Sequence, residues 1–298
     1  TVAFCREVTM KHKNLPIFLL THDTNNIYAS RYGWDHSIID REFVWLGNTD
    51  LLLALIKNVE DRMNVAFDTE RARVRVIILV EDSPFYRSSI LPLLYKEIVM
   101  QTQAVMEESL NEEHRYLRMR ARPKILIAET FEEALALYEQ FEPYMLCVLS
   151  DVRFMRNGET DNEAGFSLLK LIKQKSPHLP LLVCSSEETN REKAATIPAV
   201  FLDKNSPSLH TDIRSFFVRH LGFGEFIFQL PDGREVGRAP NLRSMEKVLP
   251  SIPNDAILYH ARRNDFSTWL MARSEIPAAS KLRPVKVTDF SSIQAAKE

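Results

Sequence analysis

"VRVIILVED", Val74–Asp82, decides the fold. Its apolar, β-branched run is nearly continuous, so it reads as a strand buried on both faces rather than one alternating between core and water. It ends on two acids, Glu81 and Asp82. "SPFYRSS" follows, where Ser83 suits a helix N-cap and Pro84 the first helical turn. The helical pattern then runs to about Arg120, long for a helix of a globular domain, and Pro92 is placed to kink it. Working outward, "PKILIAE" (Pro123–Glu129) is a second strand, and Thr130 with Glu133 three residues later forms a capping box for the next helix. "YMLCVLSD" ends a third strand on Asp151. An amphipathic helix stops near Pro177, "LLVCSSE" is a fourth strand, "TNREKAAT" a short helix and "AVFLDKN" a fifth strand. "LHTDIRSFFVRHL" closes the series near Gly222. Strands alternating with helices predict right-handed βαβ units and a doubly wound five-stranded parallel sheet.

The chain has 298 residues, 45% of them hydrophobic and 26% charged. At roughly 100–200 residues per domain this predicts two domains, or one and a half plus extensions. A net charge of −2 exerts no general pull on nucleic acid or an anionic membrane. The basic run "RYLRMRARPK" lacks a DNA-binding motif and reads as a solvated helix end. No apolar run reaches the roughly 18–20 residues of a membrane helix. The start "TVAFCREVTM" has neither a signal-peptide shape nor an initiator Met, which points to further chain upstream. The three cysteines, in apolar or helical surroundings, fit reduced thiols of a cytoplasmic protein and no zinc spacing.

Residues 1–68 repeat part of the design. "VAFCREVTMKHKNLPIFLLT" (Val2–Thr21) aligns without a gap on "FSLLKLIKQKSPHLPLLVCS" (Phe166–Ser185), matching Leu15-Pro16 to Leu179-Pro180 and Thr21 to Ser185. "FVWLGNTDLLLALIKNVED" echoes "VFLDKNSPSLHTDIRSFFV", with Gly47 opposite Lys204. This predicts the second half of an earlier, degenerate copy: helix, strand, short helix, strand, helix. Residues 69–73 join the copies, as a linker or as more helix. Residues 222–298 form an accessory α+β extension: a hairpin turning at Pro231-Asp232-Gly233, a helix capped by Asn241, a longer one capped by Asn254, an extended basic segment and a final helix. His260 reads as a structural or surface histidine.

Functional groups of such a sheet gather at the carboxyl ends of its strands. There the chain places Glu81, Asp82, Asp151, Ser185 and Lys204. Three carboxylates in one dent repel unless a cation sits among them, and hard oxygen donors suit Mg²⁺. A carboxylate can also serve as a nucleophile, splitting phosphoryl transfer into two steps, while a lysine and a hydroxyl hold phosphoryl oxygens.

These residues resemble a known family. "LVEDSP", "VLSDVRF", "LPLLVCSS" and "VFLDKN" make residues 74–221 similar to a two-component response-regulator receiver domain, whose sheet is flavodoxin-like. The resemblance implies Mg²⁺ on Glu81, Asp82, Asp151 and the backbone carbonyl of Arg153. It implies that Asp151 accepts a phosphoryl group from a histidine kinase or a small phosphodonor, that Lys204 assists, and that Ser185 and Phe201 switch. Three departures are an Asn205 where receivers usually have proline, an enlarged loop from Val152 to Gly165, and the extended first helix. A wider likeness covers "EFVWLGNTDLLLALIKNVEDRMN", "LRMRARPKILIA", "FMRNG" and "YHARRNDFSTWLMAR". It is to the N-terminal signalling part of bacterial phosphoenolpyruvate-synthase or pyruvate-phosphate-dikinase-like proteins. It implies an output domain in the same polypeptide. The leading expectation is a phosphorylation-gated phosphorelay module. The alternative is a pseudo-receiver scaffold for protein interaction or homodimerisation. A phosphatase using Asp151 is disfavoured, because its usual second acid falls at Arg153.

Overall fold

The computed structural model describes residues 2–12, 15–22, 38–107, 122–273 and 275–297. Its centre is an α/β unit built on five strands: β3 (Val76–Val80), β4 (Lys124–Ala128), β5 (Met145–Asp151), β8 (Leu181–Ser185) and β9 (Val200–Asp203). All neighbouring pairs are parallel, in the order β4-β3-β5-β8-β9. Renumbered by appearance this is 2-1-3-4-5, the flavodoxin-like order with its switch point between the first and third strands. β3, β4 and β8 are buried at every residue, as continuous apolar strands of a doubly covered sheet must be.

Each face carries its own core. On one, Val76, Ile78, Val80, Val148 and Val183 pack with α4 (Phe131–Phe141), α5 (Ala164–Lys175) and α6 (Asn190–Thr196), through Tyr138, Leu169, Ile172 and Ala194. On the other, Ile77, Leu79, Leu149 and Leu202 meet α3 (Pro84–Glu107) and α7 (Leu209–His220) through Ile90, Leu94, Ile98 and Phe217. Each such fully buried aliphatic or aromatic side chain contributes about 1.5–3 kcal/mol relative to exposure. The capping box forms in part as expected: Thr130 Oγ1 accepts from Glu133 N at 3.2 Å, but Glu133 Oε2 reaches past it to Glu129 N at 2.8 Å. α3 passes through Pro92 unbroken; its expected continuation to Arg120 lies outside the described residues.

The N-terminal segment contributes α1 (Val2–Lys11), β1 (Phe18–Thr21), β2 (Arg41–Val44) and α2 (Asp50–Ala72), with β1 and β2 parallel. The expected short helix between them falls outside the described residues. α2 runs on through residues 69–72 and stops where Arg73 turns left-handed at φ 51°, so the join is helix rather than free linker. Phe43, Leu51 and Ala54 belong to the same core as Ile77 and Leu79. α2 lies along the outer strand β4: Asn58 Nδ2 donates to Ile125 O at 3.0 Å, and Asp61 Oδ2 accepts from Ile125 N at 2.9 Å. Asp61, fully buried, also accepts from Tyr95 OH at 2.8 Å and pairs with Arg122.

The segment read as an enlarged loop holds a small hairpin, β6 (Phe154–Arg156) against β7 (Glu159–Asp161), turned by Asn157 and Gly158, both at positive φ. Asn-Gly is the dipeptide that a two-residue type I′ turn favours. In the extension, β10 (Phe226–Gln229) and β11 (Glu235–Ala239) form the expected hairpin, and Asn241 caps α8 (Leu242–Val248). Two readings are corrected there. The long helix is two, α9 (Asn254–Arg262) and α10 (Asp265–Ala272), because Asn264 adopts φ 60°, and α9 begins after Pro253 rather than on an Asn254 cap. The "extended" basic segment contains α11 (Ile276–Leu282), and α12 (Ile293–Lys297) ends the described chain. His260 is structural: its Nε2 accepts from Gln229 N at 2.8 Å and its Nδ1 meets Asp265 at 2.8 Å.

Candidate functional site

Each expected residue stands at the carboxyl edge for a local reason. β3 ends in Val80, and Glu81 and Asp82 follow before α3 turns away; Ser83 N donates to Glu81 Oε1 at 3.1 Å. β5 ends on Asp151, whose Oδ1 accepts from Val152 N at 2.7 Å. Gly165 lets the start of α5 abut that strand end. Its N–H donates to Val152 O at 2.9 Å, and a Cβ there would lie 1.9 Å from Asp151 O. β9 delivers Lys204, buried to its ammonium.

The side chains converge. Lys204 Nζ lies 2.6 Å from Glu81 Oε2 and 2.9 Å from Asp151 Oδ2. Glu81, Asp82 and Asp151 each present an oxygen within 4.8 Å of the others. Burial raises the Glu81 carboxyl to about 7, against the downward pull of Lys204 and with a further push from Asp151. Burial alone would lower Lys204, but Glu81 and Asp151 outweigh it and raise it, so the ammonium keeps its charge. Tyr86 places its ring 4.5 Å from Lys204 Nζ, closing the lysine's far side.

The donor set fits a small divalent cation. With all three ionised, as a bound cation would favour, three carboxylates against one ammonium leave two negative charges. Octahedral Mg²⁺ at about 2.1 Å holds ligand oxygens about 3–4.2 Å apart, which the 4.8 Å cluster reaches by modest side-chain rotation. Glu81 Oε2 is buried and faces the Lys204 ammonium at 2.6 Å. Arg153 lies exposed two residues beyond Asp151, where the chain bends toward β6.

The two expected switch residues lie apart from the acids in their bonding. Ser185 Oγ accepts from Asn190 Nδ2 at 2.9 Å and from Glu187 N at 3.1 Å. Phe201 is half-buried beneath Arg191, 4.5 Å from the ring centre. Both therefore contact the start of α6. Sequence reasoning missed Arg87, one turn into α3 and 1% exposed. It donates to Glu81 O at 3.0 Å and Glu42 O at 2.6 Å, and pairs with Glu129 at 2.8 Å. Glu129 also pairs with Arg41 of β2 at 2.7 Å. The backbone carrying Glu81 is thus tied to the N-terminal segment. An arginine in "SPFYRSS" carried no signal of this, and only Asn157-Gly158 hinted at the hairpin beside the site.

No known family profile matches the chain, and no curated protein matches it. Among solved structures it is similar to a crystal structure described as a response regulator receiver domain protein from Clostridium thermocellum. The identity is 14% and the TM-score 0.33, over 48% of this chain and 90% of that one. A likeness that faint carries no argument. What stands is the α/β fold, its flavodoxin-like strand order and the acidic cluster at the sheet's carboxyl edge. Among the described residues, no helix is long and apolar enough to cross a membrane.

Proposed function

We propose that the protein is a phosphorylation-gated signalling module in which Asp151 is the phosphoryl acceptor. The observation that carries this reading is the placement of Lys204 Nζ between Glu81 and Asp151, at 2.6 and 2.9 Å, beside Asp82. An Asp151 carboxylate oxygen attacks the phosphorus of a kinase phosphohistidine or a small phosphodonor; the bond from phosphorus to the leaving group breaks, and an acyl phosphate forms. Glu81, Asp82, Asp151 and the Arg153 carbonyl would hold Mg²⁺, which when bound would supply positive charge against the phosphoryl oxygens. Lys204 is already in contact with the accepting carboxylate and pairs with one of those oxygens. Ser185 then exchanges its bond from Asn190 for a phosphoryl oxygen, and Phe201 moves with the start of α6. The N-terminal segment is read as a degenerate half-copy, residues 74–221 as the receiver and residues 222–298 as an accessory extension. The enzyme we propose to test as output is phosphoenolpyruvate-synthase-like, on sequence resemblance alone.

The test is incubation with acetyl phosphate and Mg²⁺, followed by intact-mass and peptide mass spectrometry. One phosphoryl group on the Asp151 peptide is expected, lost in Asp151→Asn and with EDTA. A phosphoryl group elsewhere, or none with both reagents in excess, refutes the assignment.

A further inference from the structure

At the amino-terminal edge of the sheet, the end opposite Asp151, lies a cavity of about 1260 Å³. Its floor is the set of turns that enter the strands: residues 73–75 before β3, 142–145 before β5 and 176–179 before β8. Its roof is the C-terminal extension, through α9, α10, α11 and residues 283–288. Six residue steps along β3 separate Arg75 from Glu81, so at about 3.3 Å each the cavity is about 20 Å from the acids.

Arg75 is 9% exposed and lines this cavity. One guanidinium nitrogen donates to Met145 O, while its Nε is buried with no hydrogen-bond partner among the described residues. No carboxylate among the described residues contributes to the shift of its pKa, which Arg283 and Cys147 alone perturb beside burial. Burial, and then the like charge of Arg283 across the cavity, push it down to about 9. A buried cation facing another cation is costly unless an anion comes between them. Arg73, Arg262 and Lys286 also line the space, against only Glu70 and Glu142, a surplus of three positive charges.

We infer that this cavity binds a phosphorylated small molecule of nucleotide size, with Arg75 and Arg283 holding its phosphates. Planar guanidinium groups match phosphate oxygens two at a time. The charge surplus suits a diphosphate better than a single carboxylate. Tyr144, Leu258 and Met271 provide an apolar wall for a base. The volume exceeds the roughly 300–1000 Å³ of common small-molecule pockets, so a nucleoside diphosphate has room.

Calorimetric titration of the full chain with ADP, and separately with inorganic pyrophosphate, tests this. EDTA is present throughout, so the acidic cluster cannot take up phosphate through a divalent cation. One site per chain is expected for at least one of the two ligands. Arg283→Glu and Arg262→Glu, both at exposed positions, should each weaken binding about tenfold or more; Asp151→Asn should leave it unchanged. Circular dichroism confirms that the variants fold. No binding of either ligand at about 1 mM, or an affinity of the Arg262→Glu/Arg283→Glu double variant within about twofold of the parent, overturns the inference. So does binding of an acidic peptide alone, which would make the cavity a protein-docking site.

Discussion

Replacing Gly165 by alanine sets two effects against each other. Gly165 is the second residue of α5, and its position shows no positive φ, so alanine should favour the helix by up to about 1 kcal/mol. The added Cβ, however, would sit 1.9 Å from Asp151 O, 2.9 Å from Asp151 C and 3.0 Å from Val152 Cα. All three are backbone atoms with no rotamer to escape into. Restoring ordinary contact requires a shift of about 1.5 Å between helix and strand. Forced insertion into a packed site costs about 1–3 kcal/mol, which with the full helix gain taken off leaves a net loss of up to about 2 kcal/mol. For a chain of this size that lowers the Tm by up to about 8 °C. The same shift moves the backbone of Asp151, and misplacement of about 1 Å costs about 100-fold in a positioned reaction. Thermal unfolding and the rate of acetyl-phosphate modification measure the two consequences. Gly158→Ala is the control: at φ +82° with open space around it, it costs about 1–2 kcal/mol of left-handed strain and leaves the modification rate alone. A Gly165→Ala variant as stable as the parent, modified at the parent rate, would refute the packing argument.

Asp61→Ala should cost about 3–5 kcal/mol in urea unfolding, because it strands Arg122 without its buried counter-charge and removes the acceptor of Tyr95 OH and Ile125 N, whereas Lys124 keeps Asp68 at 2.8 Å; a loss under about 1 kcal/mol contradicts this. Lys204→Met leaves Glu81 buried without its ion-pair partner, so the variant should lose about 3–5 kcal/mol without divalent cations and regain part of that with Mg²⁺. Equal losses with and without the ion, in thermal unfolding, would argue against a cation site among the acids. Burial raises the Cys147 and Cys184 thiols well above their ordinary range, so near pH 8 they stay protonated. Neither should be alkylated by iodoacetamide while the fold persists, and peptide mapping that finds native Cys147 modified at a free-thiol rate would contradict that burial.

The sheet was legible because strands covered on both faces spell themselves as unbroken aliphatic runs, and because parallel connection sends their carboxyl ends to one side. Val76–Val80 and Leu181–Ser185 therefore predicted both the fold and the meeting of Glu81, Asp151 and Lys204. The hairpin at Asn157-Gly158 escaped because strands of three residues are too short to establish a period. The break at Asn264 escaped because the apolar spacing runs across it and one left-handed residue leaves no trace in that spacing. Asn58 and Asp61 were unreadable for a different reason. Polar residues on a long helix look like a solvated face, and nothing local distinguishes them from side chains that reach another element's backbone. Arg87 and Arg75 are the same case with charge, since their burial depends on partners distant in sequence.

The way α2 lies along β4 has a practical consequence for anyone cutting this protein. Trimming to residues 74–221, the boundaries that sequence likeness suggests, would remove Asn58, Asp61 and Arg41 together. The amide and carbonyl of Ile125 and the carbonyl of Ile127 would become an open template on which a second sheet could grow. The excised piece should associate edge to edge where the longer chain does not. Expression designs should therefore begin no later than β2.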